Sequence, residues 1–256
     1  MLKEERNLSF IVFLFGIILG SFFNVCIYRI PKGENIAFPP SHCAKCEKEL
    51  KWYDLFPIIN YIFLRGKCRY CKDKISIRYP IVELLTGLVY VILFYKFALT
   101  LDFIRYVALI SFLIIAAFID FDTMEVYFSL SLVGLAGGII FSIVSIIQGA
   151  LVKDIVVSMA IPLIIFGMLI FFTRKIQGIG TGDLEILIII SLYVNCKMII
   201  ATIMFSILMG GIVSIILILN GKRKIHIPFV PFIALGTFGA VMYGNEIVNW
   251  YLNLFM

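Results

Sequence analysis

The chain has 256 residues, of which 62% are hydrophobic and only 15% charged, and its mean hydropathy is +1.05. This balance excludes a water-soluble domain, a disordered chain and a disulfide-dense secreted scaffold. The net charge of +6 would fit a nucleic-acid-binding protein, but most basic residues flank apolar segments, as topology signals do. The composition therefore predicts an integral membrane protein with no nucleic-acid partner.

Apolar segments that could cross a bilayer recur along the whole chain. A span needs about 20 apolar residues, and fewer where one end stays at the interface. The first segment does not look like a cleaved signal peptide, because Tyr28 to Pro31 lack the small side chains of a cleavage site. We predict an all-α, polytopic fold of about eight transmembrane helices, at residues 9–28, 80–99, 104–119, 127–148, 155–173, 184–194, 199–219 and 228–250.

Basic residues divide unequally between the two sides of the membrane. If the chain crosses at every predicted span, 16 of its 22 Lys and Arg residues lie on one side and 6 on the other. The positive-inside rule makes the rich side cytoplasmic and leaves both termini outside. The rich side includes the long loop after the first span. We therefore expect a first transmembrane helix in residues 1–29, a cytoplasmic loop domain in 30–79 and a seven-helix core in 80–256, with no internal repeat.

The loop contains two Cys-x-x-Cys pairs, Cys43 with Cys46 and Cys68 with Cys71, separated by 21 residues. Four thiolates in two such pairs can complete a tetrahedral zinc site that is closed to water and therefore structural. Disulfides are rare in the cytoplasm, which favours zinc, although redox pairs and unliganded thiols remain alternatives. His42 adjoins the first pair, and a solvated loop residue is a simpler interpretation of it than a further ligand.

Two acids stand at the ends of apolar segments, where an ionisable group needs a partner or a function. Asp120 ends the third predicted span, and Asp183 follows a glycine-rich turn and opens the sixth. Two complete spans separate them, so both lie on the same face as the cysteine loop. An alternative for Asp183 is a simple helix-capping acid.

The sixth span has only about eleven residues, or about 16 Å of helix, against a hydrocarbon core of about 30 Å. Either the turn after it or the glycine turn before it therefore lies at membrane depth, where irregular backbone must line protein or water. Two carboxylates facing one such cavity can hydrolyse a peptide. One carboxylate accepts a proton from water, while the other donates a proton to the scissile carbonyl. The spacing alone does not establish that the two acids meet.

Gly180-Thr181-Gly182-Asp183 matches the G-x-G-D motif of membrane aspartyl proteases, and the whole chain resembles the bacterial type IV prepilin peptidases. The resemblance rests on the order of several segments. They are Gly20 to Val25, Tyr28-Arg29, Pro31, the paired cysteines, Arg78-Tyr79-Pro80, Glu83 to Gly87, Ile119 to Thr123, the glycine turn, Ile227-Pro228-Phe229, Pro231-Phe232 and Ala234-Leu235-Gly236.

This resemblance implies an Asp120–Asp183 catalytic dyad in a bacterial cytoplasmic membrane enzyme. Such an enzyme cleaves the basic leader of type IV prepilins or pseudopilins after a glycine, on the cytoplasmic face, in pilus assembly or protein secretion. Relatives with the cysteine loop also N-methylate the new N-terminus from S-adenosylmethionine. By the same resemblance Gly180, Gly182, Asp122 and Glu83 support the sites. The partners it implies are prepilin-like substrates and membrane lipid.

Some features permit other interpretations. Glu83 can instead be a helix-start acid that anchors the interface. Gly20 and Asn24 share one helix face, which predicts close packing or a polar contact between helices. Three positions depart from the family pattern: Tyr127, Glu185 and Val230. A different function, a non-enzymatic scaffold that recruits a partner through the zinc loop, would need the cysteines but not the aspartates. An ion transporter would have carboxylates deep within several spans, whereas the two acids described above lie at one face of the membrane.

Overall fold

The computed structural model describes residues 2–173, 180–221 and 226–255. Some residues used for the predictions lie outside these ranges. They are the first two of the predicted glycine turn, Gly178 and Ile179, and the basic residues Arg174, Lys175, Lys222, Arg223 and Lys224 that contribute to the predicted orientation.

The described ranges contain nine α-helices and no β-strand. The eight predicted spans all coincide with helices, and the ninth helix is a short one in the loop after the first span. The helices are α1 (Leu2–Arg29), α2 (Ile59–Phe63), α3 (Arg78–Phe97), α4 (Leu101–Thr123), α5 (Phe128–Ile147), α6 (Val152–Thr173), α7 (Thr181–Ser191), α8 (Cys196–Leu219) and α9 (Val230–Phe255).

Six of the described helices, α1, α3, α4, α5, α6 and α8, are long and apolar enough to cross a membrane. Large apolar side chains such as Ile147 and Leu219 are about 80% exposed, as expected for surfaces that face lipid. Helix α7 has 11 residues, in agreement with the predicted short span. The prediction of an all-α polytopic membrane protein is confirmed.

The chain divides into two compact units, residues 1–107 and 108–256. The first unit contains α1, the cysteine loop, α2 and α3, and the second contains α5 to α9. Helix α4 begins in the first unit and ends in the second. The predicted division at residues 29 and 79 stays a prediction, as do the orientation and the location of the termini.

In the first unit, α1 packs along α3 at glycines. A β-carbon built on Gly16 would lie 2.7 Å from the Cα atom of Gly87, and one built on Gly20 would lie 2.7 Å from the Cα atom of Glu83. These distances are too short for any side chain, so the two backbones touch. Transmembrane helices associate closely where small residues are spaced four apart. The close packing predicted from Gly20 and Asn24 is therefore present.

In the second unit, α5 fixes the end of α7. The Tyr193 hydroxyl donates to the carbonyl of Gly134 over 2.9 Å, and the Ser142 hydroxyl donates to the carbonyl of Leu192 over 3.0 Å. A β-carbon on Gly138 would lie 2.8 Å from Cβ of Leu192, so the glycine again permits a close approach. This packing holds the short helix whose other end carries Asp183.

We expect Gly16→Ala to destabilise the first unit by about 1–3 kcal/mol, because the added methyl group collides with the backbone of α3. Thermal unfolding of the purified protein in detergent measures the effect. Gly167→Ala in α6 is the matched control, because a β-carbon there meets nothing within 4 Å. Equal melting temperatures for the two variants would contradict the helix contact.

Candidate functional site

Asp120 lies one turn before the end of α4 and is only 6% exposed. Its Oδ2 atom accepts a hydrogen bond of 3.0 Å from the backbone N–H of Val230, and the backbone of Phe229 is a further partner. Both donors stand at the start of α9. The first N–H groups of a helix have no partner within it, and the helix dipole favours negative charge there. Helix α9 therefore provides a site for the Asp120 carboxylate.

Asp183 lies in the first turn of α7, and its N–H donates to the carbonyl of Gly180 over 3.3 Å. The neighbouring Gly182 packs against Val126, which belongs to the loop between α4 and α5. A β-carbon on Gly182 would lie 2.7 Å from Cγ2 of Val126. Glycine at this position therefore lets the turn that carries Asp183 approach the loop that follows Asp120.

The two aspartates, 63 residues apart in sequence, line one cavity of about 1190 Å³ in the second unit. The charge of Asp120 acts on the carboxyl group of Asp183. Described residues of several elements form the rest of the wall, among them Glu125, Phe166, Glu185, Ser214, His226 and Phe232. The structure therefore brings together the two acids that the sequence identified separately.

The remaining predicted residues are placed differently. Gly180 and Gly182 line the cavity with the aspartates, but Asp122 is exposed and is not among the lining residues. Of the departures from the family pattern, Glu185 lines the cavity, and Val230 is the buried N–H donor to Asp120. Sequence reasoning missed this donor role. The two prolines that flank Phe229-Val230 were a usable signal, because proline is common in the first turn of a helix.

The four cysteines of the loop converge in the first unit. Their Sγ atoms all lie within 4.8 Å of one another, and those of Cys43 and Cys71 are 3.8 Å apart. Tetrahedral zinc with Zn–S bonds of about 2.3 Å separates its sulfur ligands by about 3.8 Å. Burial opposes ionisation of Cys43, but the amides of Cys46 and Lys45 outweigh it and lower the pKa of this thiol to about 7. The donor set fits a structural zinc ion.

The two cysteine pairs share one backbone pattern, offset by 25 residues. In the first, the N–H of Cys43 donates to the carbonyl of Lys48, and the N–H of Glu47 donates to that of Cys43. The second repeats these bonds, from Cys68 to Asp73 and from Lys72 to Cys68. Glu47 and Lys72 both have positive φ, of 55° and 60°. The two Cys-x-x-Cys pairs therefore form two knuckles with the same local backbone structure.

Ion pairs join the two knuckles and the segment between them. Lys45 of the first knuckle contacts Asp73 of the second at 2.8 Å. Between the knuckles, Asp54 pairs with Arg69 and accepts a hydrogen bond from the hydroxyl of Tyr70. Burial raises the pKa of Asp54, but these two hydrogen bonds outweigh it and hold the pKa below its ordinary value. Ion pairs and hydrogen bonds therefore hold the segments of the loop together in addition to the four cysteines.

Glu83 on α3 is 6% exposed, and its Oε2 atom accepts a hydrogen bond of 2.7 Å from the N–H of Ile58. Asn24 on α1 is 2% exposed and donates from Nδ2 to the carbonyl of Tyr79 over 3.0 Å. These two side chains connect α1, α3 and the loop. Glu83 therefore does more than anchor the start of a helix at the interface.

Two family models match the chain. The bacterial peptidase A24 N-terminal domain matches residues 14–97, and the type IV leader peptidase family matches residues 107–215. A prepilin leader peptidase/N-methyltransferase of Aeromonas hydrophila is 30% identical over 275 aligned positions, which cover 96% of this chain and 94% of that protein. The chain belongs to the type IV leader peptidase family.

Other members of the family resemble it to a similar degree. A prepilin leader peptidase/N-methyltransferase of Bacillus subtilis is 29% identical over 252 positions, covering 95% of this chain and 98% of that protein. One of Myxococcus xanthus is 31% identical over 219 positions, covering 84% of this chain and 65% of that protein. No solved structure matches the chain. The predicted resemblance and the prediction of a multi-pass membrane peptidase are confirmed.

We expect Cys68→Ser to lower the zinc content of the purified protein from about one ion per chain to nearly none, because three thiolates hold zinc poorly at a four-cysteine site. Elemental analysis by mass spectrometry measures the content. Cys196→Ser removes a thiol outside the cluster and should leave the content unchanged. Wild-type protein free of zinc after growth with the metal would favour redox pairs or unliganded thiols instead.

Proposed function

We propose that the protein cleaves the leader peptide of type IV prepilins or pseudopilins after a glycine, at the cytoplasmic face of the membrane. Asp120 and Asp183 form the catalytic pair. The observation that carries this proposal is the convergence of the two carboxyl groups on one cavity in a chain of the leader peptidase family. The relatives named above are prepilin leader peptidases, which supports the substrate class.

The surroundings of the two acids suggest different roles for them. Two carboxyl groups that interact closely share one proton, because ionisation of both would place two negative charges side by side. Asp120 accepts hydrogen bonds from the start of α9, which favours its ionised form. Asp120 therefore takes the proton of the attacking water, and Asp183 donates a proton to the carbonyl oxygen of the scissile bond. When the C–N bond breaks, Asp120 gives its proton to the leaving amine and Asp183 takes one from a hydroxyl of the diol intermediate, so that the carboxyl group re-forms and the pair returns to its starting state.

The cavity is suited to a peptide with a basic leader. Its volume of about 1190 Å³ leaves room for several residues of an extended chain and for water. Glu125 and Glu185 line it beside the two aspartates, so four carboxyl groups face the same space. Acidic groups in a cleft attract a positively charged segment. Glu185, a departure from the family pattern, strengthens this attraction.

Methyl transfer is the second proposed activity. The names of the relatives pair the peptidase with an N-methyltransferase. S-adenosylmethionine supplies an electrophilic methyl group, which an amine takes up with loss of a proton and release of S-adenosylhomocysteine. The acceptor is the N-terminal amine that leader cleavage exposes. Zinc bound by the four cysteines has a structural role, because four thiolates leave no coordination position for a reacting group.

The test is mass spectrometry of a type IV prepilin incubated with the purified protein and S-adenosylmethionine. Asp120→Asn and Asp183→Asn should each slow leader cleavage by about 10²-fold or more, because either change removes a proton-transfer group. Asp154→Asn, at an exposed acid in the first turn of α6, is the matched control and should cleave normally. Methylation adds about 14 Da to the new N-terminus.

Two results would contradict the proposal. Cleavage by both aspartate variants at the wild-type rate would place the chemistry elsewhere. An intact prepilin after incubation with folded wild-type protein would favour the scaffold function, which depends on the cysteine loop alone.

The glycine motif offers a separate test of the dyad geometry. Gly182→Ala should lower the cleavage rate at least tenfold, because its methyl group would lie 2.7 Å from Val126 and displace the turn that carries Asp183. Gly180→Ala should be milder, because a β-carbon there meets only ordinary contacts of 3.7 and 3.9 Å. Its φ of −77° also suits alanine.

Adding Val126→Ala to Gly182→Ala removes the nearest clashing atom and should restore part of the activity. Initial cleavage rates of the three variants and the wild type measure these effects. Equal losses for Gly180→Ala and Gly182→Ala would show that contact with Val126 is not what the motif requires.

A further inference from the structure

The segment between the two knuckles exposes large apolar side chains on a short helix. Helix α2 presents Ile59, Ile62 and Phe63 on one face, because residues three and four apart lie side by side on a helix. These residues are 50%, 66% and 83% exposed, so Phe63 is as open as Leu219 in the membrane helix α8. We call this face of α2 the apolar stripe.

The opposite face of α2 carries its polar side chains. Asn60 donates from Nδ2 to the carbonyl of Tyr53, and the hydroxyl of Tyr61 lies against Gly66. Asn60 and Tyr61 line a small cavity of about 440 Å³ inside the first unit. A helix that faces water has the reverse arrangement, with its apolar side chains inward and its polar ones outward. The inversion indicates that the stripe faces an apolar partner.

A hydrogen bond fixes the level of α2 along the membrane helix α3. The N–H of Ile58, the residue before α2, donates to Oε2 of Glu83 over 2.7 Å. Glu83 stands five residues after the start of α3, which is about 7.5 Å along the helix axis. Helix α3 has 20 residues, or about 30 Å, which matches the thickness of the hydrocarbon core. The start of α2 therefore lies beside the end of a span, at the boundary between headgroups and acyl chains.

Exposed apolar residues also surround the start of α3. Ile77 and Ile81 are exposed there, and Tyr79 between them is a residue type that is enriched at headgroup level. Asn24 of α1 donates to the carbonyl of Tyr79 over 3.0 Å, which connects the start of α3 to a second membrane helix. The lipid-facing surface of the first unit therefore extends to the level of the apolar stripe.

Basic residues follow the stripe directly. Residues 55–72 contain four Lys and Arg residues and no acid. Arg65, Lys67 and Lys74 are exposed. The backbones of Lys67 and Lys74 form an antiparallel bridge, which places their side chains on the same side. Cations beside an apolar surface match a phospholipid layer, whose phosphates lie just outside its acyl chains.

The acids around this segment have partners within the protein. Asp54 pairs with Arg69, and Asp73 pairs with Lys45. Glu83 accepts its hydrogen bond from Ile58 in a buried position. The exposed cations that follow the stripe can therefore contact phosphates outside the protein.

We propose that the apolar stripe enters the surface of the phospholipid bilayer, so that the cysteine loop is anchored to the membrane at its middle as well as at its two ends. Ile59, Ile62 and Phe63 lie where the acyl chains begin, and the three basic residues contact phosphates. Helix α2 is thus an interfacial anchor, although it is far too short to cross a membrane. This inference depends on neither of the proposed activities.

Fluorescence quenching by brominated phospholipids tests the anchor in the full-length protein, reconstituted into nanodiscs. Phe63→Trp places a reporter on the stripe, and Glu49→Trp places one at an exposed acid beside the first cysteine pair as the control. The signal of the two native tryptophans, measured on the wild type, is subtracted.

Phosphatidylcholine brominated near the headgroup end of its acyl chains should quench the Phe63→Trp reporter about twofold or more and leave the Glu49→Trp reporter unchanged. Bromine near the far ends of the chains should quench the Phe63→Trp reporter less, because an interfacial helix stays near the headgroups. Zinc contents and melting temperatures establish that both variants are folded.

A photolabelling experiment on the wild type makes the test independent of the variants. A phospholipid with a diazirine near its headgroup should label peptides within residues 55–67. Equal quenching of the two reporters, or the absence of lipid label from these peptides, would overturn the proposal. A Phe63→Trp reporter that brominated lipid leaves unquenched, but whose emission moves to shorter wavelength when prepilin is added, would assign the stripe to the apolar helix of the substrate instead.

Discussion

Burial of carboxylates beside apolar helices is the constraint on which both units depend. Asp120 on α4 and Glu83 on α3 are each 6% exposed, and each accepts a hydrogen bond from a backbone N–H of a distant segment. Val230 provides the donor to Asp120, and Ile58 provides the donor to Glu83. A charge this deep is unstable without such donors. The same bonds therefore reduce the cost of burial and fix the segments that line the two cavities.

Glycine makes these approaches possible in both units. Gly16 and Gly20 bring α1 against α3, close to Glu83, and Gly182 brings the turn of Asp183 against Val126. In each case a single methyl group would occupy space that another residue already fills. The glycines near the two cavities are thus required because they have no side chain, and their backbone conformation matters less. Gly180, with an ordinary extended backbone and no close neighbour, shows that glycines within one motif can have different requirements.

The helices could be predicted from the sequence because each apolar run is long enough to be diagnostic by itself. The two aspartates and four cysteines could also be identified, since charged and thiol side chains are conspicuous among apolar residues. The contacts between these elements could not be predicted from the sequence. The N–H of Val230 that binds Asp120 and the N–H of Ile58 that binds Glu83 come from the backbone, which leaves no residue-specific mark. The two knuckles were expected from the cysteine spacing, but their matching hydrogen bonds were not, because the two copies share few residues besides the cysteines.

The repeated knuckle also has a thermodynamic consequence for the first unit. Residues 51–65, which connect the two copies, include Phe56 and Tyr61, which line the small cavity of about 440 Å³ in the first unit. A metal that closes the two knuckles onto each other restrains both ends of this connecting segment, and so reduces the conformational entropy that a ligand would otherwise have to overcome. Coupling of this kind is reciprocal. A molecule bound in the small cavity must therefore raise the affinity for the metal, and the factor is the same as that by which the metal raises the affinity for the molecule.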